Sequence, residues 1–262
     1  MSAQSMHLQA SAADEQDWLR EALAEPVGRP QWRVWRYRAP AIVLGLSQRS
    51  MQASVAARAG ETLPVLVRAS GGGAVLAGPW MIGVTVLLPS RHRLAAGGLI
   101  DSYRWLGELH VRVLSDFGVE GRLLSPQQVR NGDPDVAGFA PLPWACFGAL
   151  SPWELTDARG RKLCGLAQQR RAAGIALVGG TLLWQPPWSI LCDALGRPDD
   201  LDALGGRTID CERLAAPGEF RSDEGRRAAF ASALAGVLDA ALAQTLLEDG
   251  ERQNDDPSSP LR

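Results

Sequence analysis

Met81 to Pro89, MIGVTVLLP, is apolar with almost no interruption. A half-exposed strand alternates apolar and polar residues; a strand that does not alternate is buried on both faces. The chain must therefore place this segment inside a sheet and cover both of its sides. With 262 residues, 46% of them hydrophobic, it has enough apolar material for one such core, with or without a small appendage.

The covering layers are visible on either side. Asp14 to Ala24 carries Trp18, Leu19, Ala22 and Leu23 at helical spacing. Trp32, Val34 and then Ala41 to Gly45 read as two strands broken at Pro40, and Pro64 to Ala69 as a short strand. From Asp101 onward Tyr103, Leu106, His110, Val113, Leu114 and Phe117 fall on one helical stripe, which Gly118 ends. His110 on that stripe reads as a packed helix residue rather than a ligand. Asn131 to Trp153 is a long Pro/Gly-rich connection of the kind that often carries function. Strands follow around Arg161–Gln168 and Gly174–Trp184, then a helix near Ser222 to Glu248 with Phe230, Leu234, Val237, Leu238, Ala241 and Leu242 on its buried face.

Strands mixed with segregated helices predict an α+β fold with a mixed or antiparallel sheet. The expected organisation is a disordered tail over 1–13, a main domain over 14–190, a C-terminal helical appendage packed on it over 191–248, and a second disordered tail over 249–262.

The formal net charge is −2, which steers the surface toward neither nucleic acid nor anionic membrane. No uninterrupted apolar run has the roughly 20 residues of a membrane span, and the N-terminus lacks a signal-peptide pattern, so a cytoplasmic protein is expected. The cysteines Cys146, Cys164, Cys192 and Cys211 form no CxxC pair and should be free thiols. With His7, His92 and His110 scattered, neither a zinc site nor a Ser–His triad is indicated.

Three short segments carry chemistry. The first is Ser70-Gly71-Gly72-Gly73-Ala74-Val75, preceded by Arg68. Three glycines admit positive φ and a close backbone approach, so successive N–H groups can face a carbonyl or anionic oxygen. The alternative is a tight hairpin with no ligand. The pattern is neither GxGxxG nor a P-loop. The second segment is Trp144-Ala145-Cys146-Phe147. A thiolate beside a cation is a strong nucleophile; the alternative is a small buried hydrophobe. The third is Lys162-Leu163-Cys164-Gly165-Leu166-Ala167-Gln168. A lysine beside a reacting carbonyl can stabilise an oxyanion or move a proton; otherwise it is a surface charge. Gly165 and Ala167 leave room against the strand. Cys164 is a rival nucleophile.

Together these segments resemble the lipoate–protein ligase and octanoyltransferase superfamily over about Trp18 to Trp184. Arg68 with the glycine turn is similar to its Arg-x-Ser-Gly-Gly-Gly-Ala-Val signature, Lys162 to Gln168 to its Lys-x-x-Gly-x-Ala-Gln stretch, and Gly179-Gly180-Thr181-Leu182-Leu183 to its His-Gly-Thr-Leu-Leu strand. Ala145-Cys146-Phe147, with Ser151 and Glu154-Leu155, resembles the cysteine-dependent octanoyltransferase branch. Val67, Ala77 and Gly179 stand where the family often has an arginine and two histidines.

The resemblance implies a biotin/lipoate ligase-type fold. It implies an acyltransferase in which Cys146 takes octanoyl or lipoyl from acyl carrier protein as a thioester and yields it to a lysine of a lipoyl domain or glycine-cleavage H-type carrier. Lys162 would orient the carbonyl and lower the thiol pKa. Arg68, Ser70, Gly71, Gly72, Gly73, Ala74, Gly165, Ala167, Gly180 and Thr181 would form the substrate site, with no metal and no cofactor. The second reading is a ligase using ATP and magnesium; a third is a non-catalytic acyl- or lipoyl-binding relative. Arg33, Arg36 and Arg38, and Arg161, Arg170 and Arg171, form two basic strips that would steer an acidic carrier or act as ordinary solvated charges.

Overall fold

The computed structural model describes residues 7–131, 136–216, 220 and 223–254. The first half runs β1 (His7–Ala10), α1 (Ala12–Ala22), β2 (Gln31–Tyr37), β3 (Ala41–Leu44), α2 (Gln52–Ala59), β4 (Val65–Val67), β5 (Val75–Ala77) and β6 (Met81–Leu88). The middle adds α3 (Gly98–Asp101), α4 (Arg104–Asp116), β7 (Arg122–Leu123), α5 (Pro126–Arg130), β8 (Leu155–Thr156), β9 (Lys162–Arg171) and β10 (Gly174–Leu182). The remainder is helical: α6 (Trp188–Leu195), α7 (Leu201–Gly206), α8 (Cys211–Leu214) and α9 (Glu224–Asn254).

Seven strands form one sheet in the order β1-β2-β6-β10-β9-β8-β7, and β4-β3-β5 form a second. The β1–β2 and β3–β4 pairs are parallel and the other pairs antiparallel, so the fold is α+β with mixed sheets. Every residue of β6 is buried, as its apolar run requires. Its alternate residues Ile82, Val84, Val86 and Leu88 join a core with α4 and α9. On the opposite face Met81 packs with the small sheet and α6, and Leu87 with α1.

The expected tails and domain boundaries change. β1 lies inside the segment expected to be disordered, because its backbone pairs with the free edge of β2. The segment has no local strand signal; the edge it completes is supplied from elsewhere. Residues 1–6 and 255–262 of the expected tails lie outside the described residues, and α9 continues past Glu248 to Asn254. The boundary at 190 falls inside α6. α9 packs on the main domain, where Phe230, Ala231, Leu234, Leu238 and Leu242 belong to the same core as β6 and α4. Glu224–Thr245 is long and apolar enough for a membrane span by composition, with mean hydropathy 1.3, but these residues place its apolar face against the sheet.

Candidate active site

The glycine turn and the cysteine loop are joined through their backbones. The Ala74 N–H donates to the Trp144 carbonyl at 2.8 Å, and the Cys146 N–H donates to the Ala74 carbonyl at 2.7 Å. Gly73 permits this approach, since a Cβ there would fall 2.6 Å from the Trp144 carbonyl. Gly72 has φ +92°, a conformation glycine adopts without steric penalty. Arg68 holds the turn: its Nη2 donates to the carbonyls of Gly71 and Gly73, each at 2.9 Å. Gln48 braces the other side, donating to the Trp144 carbonyl at 2.9 Å.

Lys162 is placed by a bulge. Leu155 and Thr156 are adjacent on β8 but face Cys164 and Lys162 on β9, so β9 carries one extra residue there. The bulge breaks the side-chain alternation expected of this strand. Lys162 and Gly165 then share a space: a Cβ on Gly165 would lie 3.2 Å from Lys162 Cε and 3.5 Å from Cys146 Sγ.

The Lys162 ammonium is 1% exposed as part of its residue. It donates to the Cys146 carbonyl at 2.6 Å and the Ala149 carbonyl at 3.0 Å, and pairs with Glu154 Oε1 at 2.7 Å. An ammonium has three N–H donors, so all are engaged within the protein. Glu154 is equally well held: Oε1 accepts from the Leu166 N–H at 3.1 Å and Oε2 from the Ser151 N–H at 2.7 Å. Burial pulls the Lys162 pKa down, but the Glu154 carboxylate together with the neighbouring Cys146 and Cys164 holds the ammonium above its ordinary value. Burial pushes the Glu154 carboxyl up against the pull of Lys162. Trp153, just before Glu154, has φ +66°, a left-handed backbone that costs a non-glycine residue about 1–2 kcal/mol. The hydrogen bonds from Trp153 N–H to Leu124 O and from Leu124 N–H to Glu154 O hold it there.

Cys146 sits where two cavities meet. A wide groove of about 560 Å³ is lined by Gly71 to Gly73, Leu99, Tyr103, Glu154, Lys162 and Gln168. A narrower apolar cavity of about 60 Å³ runs between the two sheets, lined by Val43, Val75, Ala77, Met81, Phe147 and Gly180. Arg68, Cys146, Leu166 and Ala167 line both. Among the four cysteines Cys146 alone is partly exposed. Cys164 is fully buried and burial pushes its thiol up to about 12, which leaves it protonated and a poor nucleophile.

The apolar cavity crosses the large sheet. At one end Cys146 lies over Gly165 on β9; at the other is Glu15 of α1, over β2 and β6. Tyr37 of β2 and Thr85 of β6 each donate a hydroxyl hydrogen to the Glu15 carboxyl at 2.7 Å. Burial raises the Glu15 pKa against these hydroxyl bonds.

The structure thus gathers Arg68, Gly71, Gly72, Gly73, Cys146, Lys162, Gly165, Ala167 and Gly180 around the two cavities. Ser70, Ala74 and Thr181 line neither. The Ser70 carbonyl accepts the Leu46 N–H at 3.0 Å, Ala74 is enclosed by the backbone zipper, and Thr181 is fully buried opposite Cys164. Arg68 serves the turn's own carbonyls. Gly179 faces α4, where a Cβ would lie 3.1 Å from His110 Cε1. His110 is itself a packed residue, its ring nitrogen on the Leu106 carbonyl at 2.7 Å.

The basic strips are largely engaged within the protein. Arg36 pairs with Glu224 at 2.6 Å and Arg161 with Asp157 at 2.7 Å; Arg33 lies over Trp18, and Arg170 donates to the Gly98 carbonyl. Glu15 and Glu154 received no role from the sequence. Glu15 precedes Trp18 and Leu19 by three and four residues, a charged side chain in the register of the apolar stripe.

A thiol-bearing loop, a glycine turn and an apolar slot between two sheets thus meet at one place. The family model for the lipoyl protein ligase A/B catalytic domain matches residues 10–206. The chain belongs to that family. A bi-partite lipoate protein ligase from Thermoplasma acidophilum, described with its E2 lipoyl domain, superposes with TM-score 0.57 at 15% identity over 90% of this chain and 83% of its own. A T. acidophilum protein with bound lipoic acid gives 0.55 at 15% identity over 91% and 86%. A lipoate-protein ligase A bound with ATP gives 0.51 at 16% identity over 88% and 95%. At these identities the likeness is one of fold. No curated protein matches the sequence closely enough to count as a relative.

Proposed function

We propose that the protein transfers an octanoyl- or lipoyl-type acyl group from acyl carrier protein to a lysine of a lipoyl-accepting carrier, through a thioester on Cys146. The observation that carries this reading is the position of Cys146 at the junction of the apolar cavity and the wide groove that holds Lys162 and Glu154. The thiolate attacks the carbonyl of the carrier thioester, and the negative charge of the tetrahedral intermediate forms beside the glycine turn. Collapse expels the carrier thiol and leaves the acyl chain in the cavity. The acceptor lysine amine then attacks the Cys146 thioester, forms the amide and returns the thiolate. Lys162 works through the loop: it holds the Cys146 and Ala149 carbonyls. To contact an acyl carbonyl it must release one of its three present partners.

The fold shared with an ATP-bound ligase keeps a second reading in play, acyl activation by ATP and magnesium before transfer. The residues fit it less well. The cations lining the groove are Arg68 and Lys162, and both are engaged by protein acceptors.

Intact-protein mass spectrometry after mixing with octanoyl–acyl carrier protein, without ATP, separates the two. The thioester route predicts an octanoyl adduct that is absent in Cys146→Ala. No adduct, together with acyl-adenylate formation from lipoate, ATP and magnesium, would overturn it.

A further inference from the structure

The acyl cavity ends on a carboxyl group. The strand order is β2-β6-β10-β9, and Cys146 lies over β9 while Glu15 is bonded to β2 and β6. With strands about 4.8 Å apart, the cavity spans roughly 10–14 Å from the thiol to the carboxyl, a distance covered by an extended medium-length acyl chain. Between them the lining is mostly apolar, with Val75, Ala77, Met81, Val178 and the backbone of Gly180; Arg68, tied to the turn carbonyls, also lines it, and Gln16 lies beside Glu15.

Glu15 is 4% exposed, and among the described residues its hydrogen bonds come from two hydroxyls, with the Arg68 charge acting on it without a hydrogen bond or ion pair. Thr85 Oγ1 accepts from Trp35 Nε1 at 3.0 Å and donates its hydrogen to Glu15. Tyr37 likewise donates to the other oxygen. A carboxylate has about four acceptor positions, and these two hydroxyls fill two. The remaining capacity is for a donor.

From this geometry we propose that Glu15 reads the distal end of the acyl group, preferring an end that donates a hydrogen bond, such as a hydroxyl or thiol, over a methyl end of equal length. A methyl seated there strips water from the carboxyl and returns no hydrogen bond; a hydroxyl restores one. A site built around a buried polar group discriminates strongly against ligands that leave it unpaired. The proposal rests on the acyl-chain reading of the site and adds the chemistry of the chain's far end.

Octanoate and 8-hydroxyoctanoate have the same length and differ at that end. Their binding to the full-length protein is measured by titration calorimetry, with Glu15→Leu and Glu15→Gln alongside. The expected result is binding of the hydroxy acid tighter by about tenfold in the unmodified protein. Glu15→Leu should abolish or invert that preference, and Glu15→Gln, which keeps an acceptor oxygen, should retain part of it. The comparison within the unmodified protein needs no variant to fold. Equal affinities there, or a preference that survives Glu15→Leu, would overturn the proposal while leaving acyl transfer intact. Failure of both acids to bind would overturn it as well, while the acyl adduct on Cys146 decides the acyl-transfer reading separately.

Discussion

Glu15 and Glu154 are both buried carboxyls at the site, and they are held in opposite ways. Glu154 pairs with a cation and accepts two backbone N–H bonds, with Lys162 committed to it and to the cysteine loop. Glu15 has two hydroxyl donors and apolar surroundings. The first arrangement compensates a full charge and locks the loop that carries Cys146. The second leaves acceptor capacity open to the cavity. Burial raises both pKa values; Lys162 opposes it at Glu154 through a direct ion pair, whereas at Glu15 the Thr85 and Tyr37 hydroxyls oppose it and Arg68 acts without an ion pair.

The contrast can be broken at its strongest point. Lys162→Met leaves Glu154 buried without its cation, so chemical denaturation should show a loss of about 3–5 kcal/mol. Adding Glu154→Gln to Lys162→Met removes the stranded charge and should recover part of that loss; a double variant as unstable as the sum of the singles would refute the pair's coupling. Tyr37→Phe deletes one donor to Glu15 and should cost about 1–2 kcal/mol in the same measurement. The smallest effect is on pH dependence. The native Glu15 pKa lies above its ordinary 4.5. In the window from 4.5 up to that raised value the native state keeps a proton the unfolded chain releases, so stability falls as pH rises. Glu15→Gln should make that slope shallower, the remainder belonging to the other raised carboxyls, Glu154 and Asp210; an unchanged slope would show that Glu15 does not contribute to it.

Much of the site was legible because its signals are local. A glycine triplet marks a turn wherever it falls, and Cys146, Lys162, Gly165 and Ala167 were singled out from short segments that the fold brings together. What local pattern misjudged were residues whose partners lie far along the chain. Ser70, Ala74 and Thr181 stand next to site residues in sequence, but their own contacts face elsewhere. Lys162 read as a cation free to act on substrate; its three engagements come from Cys146, Ala149 and Glu154, all on one incoming loop. Glu15 was passed over because a helix stripe is recognised by its apolar members, and Glu15 is the polar member of that stripe. β1 was missed because a short edge strand owes its conformation to the strand it joins.

The order of residues alone required a strand covered on both faces, supplied the helices to cover it, and placed glycines where only glycine fits. These are consequences of backbone sterics and of apolar periodicity, which act over a few neighbouring residues. That Cys146 and Glu15 share one cavity, and that a bulge turns Lys162 into the space beside Gly165, was decided by sheet order and strand register. Those pairings join segments far apart in the chain, and their energy exists only once the sheet has closed.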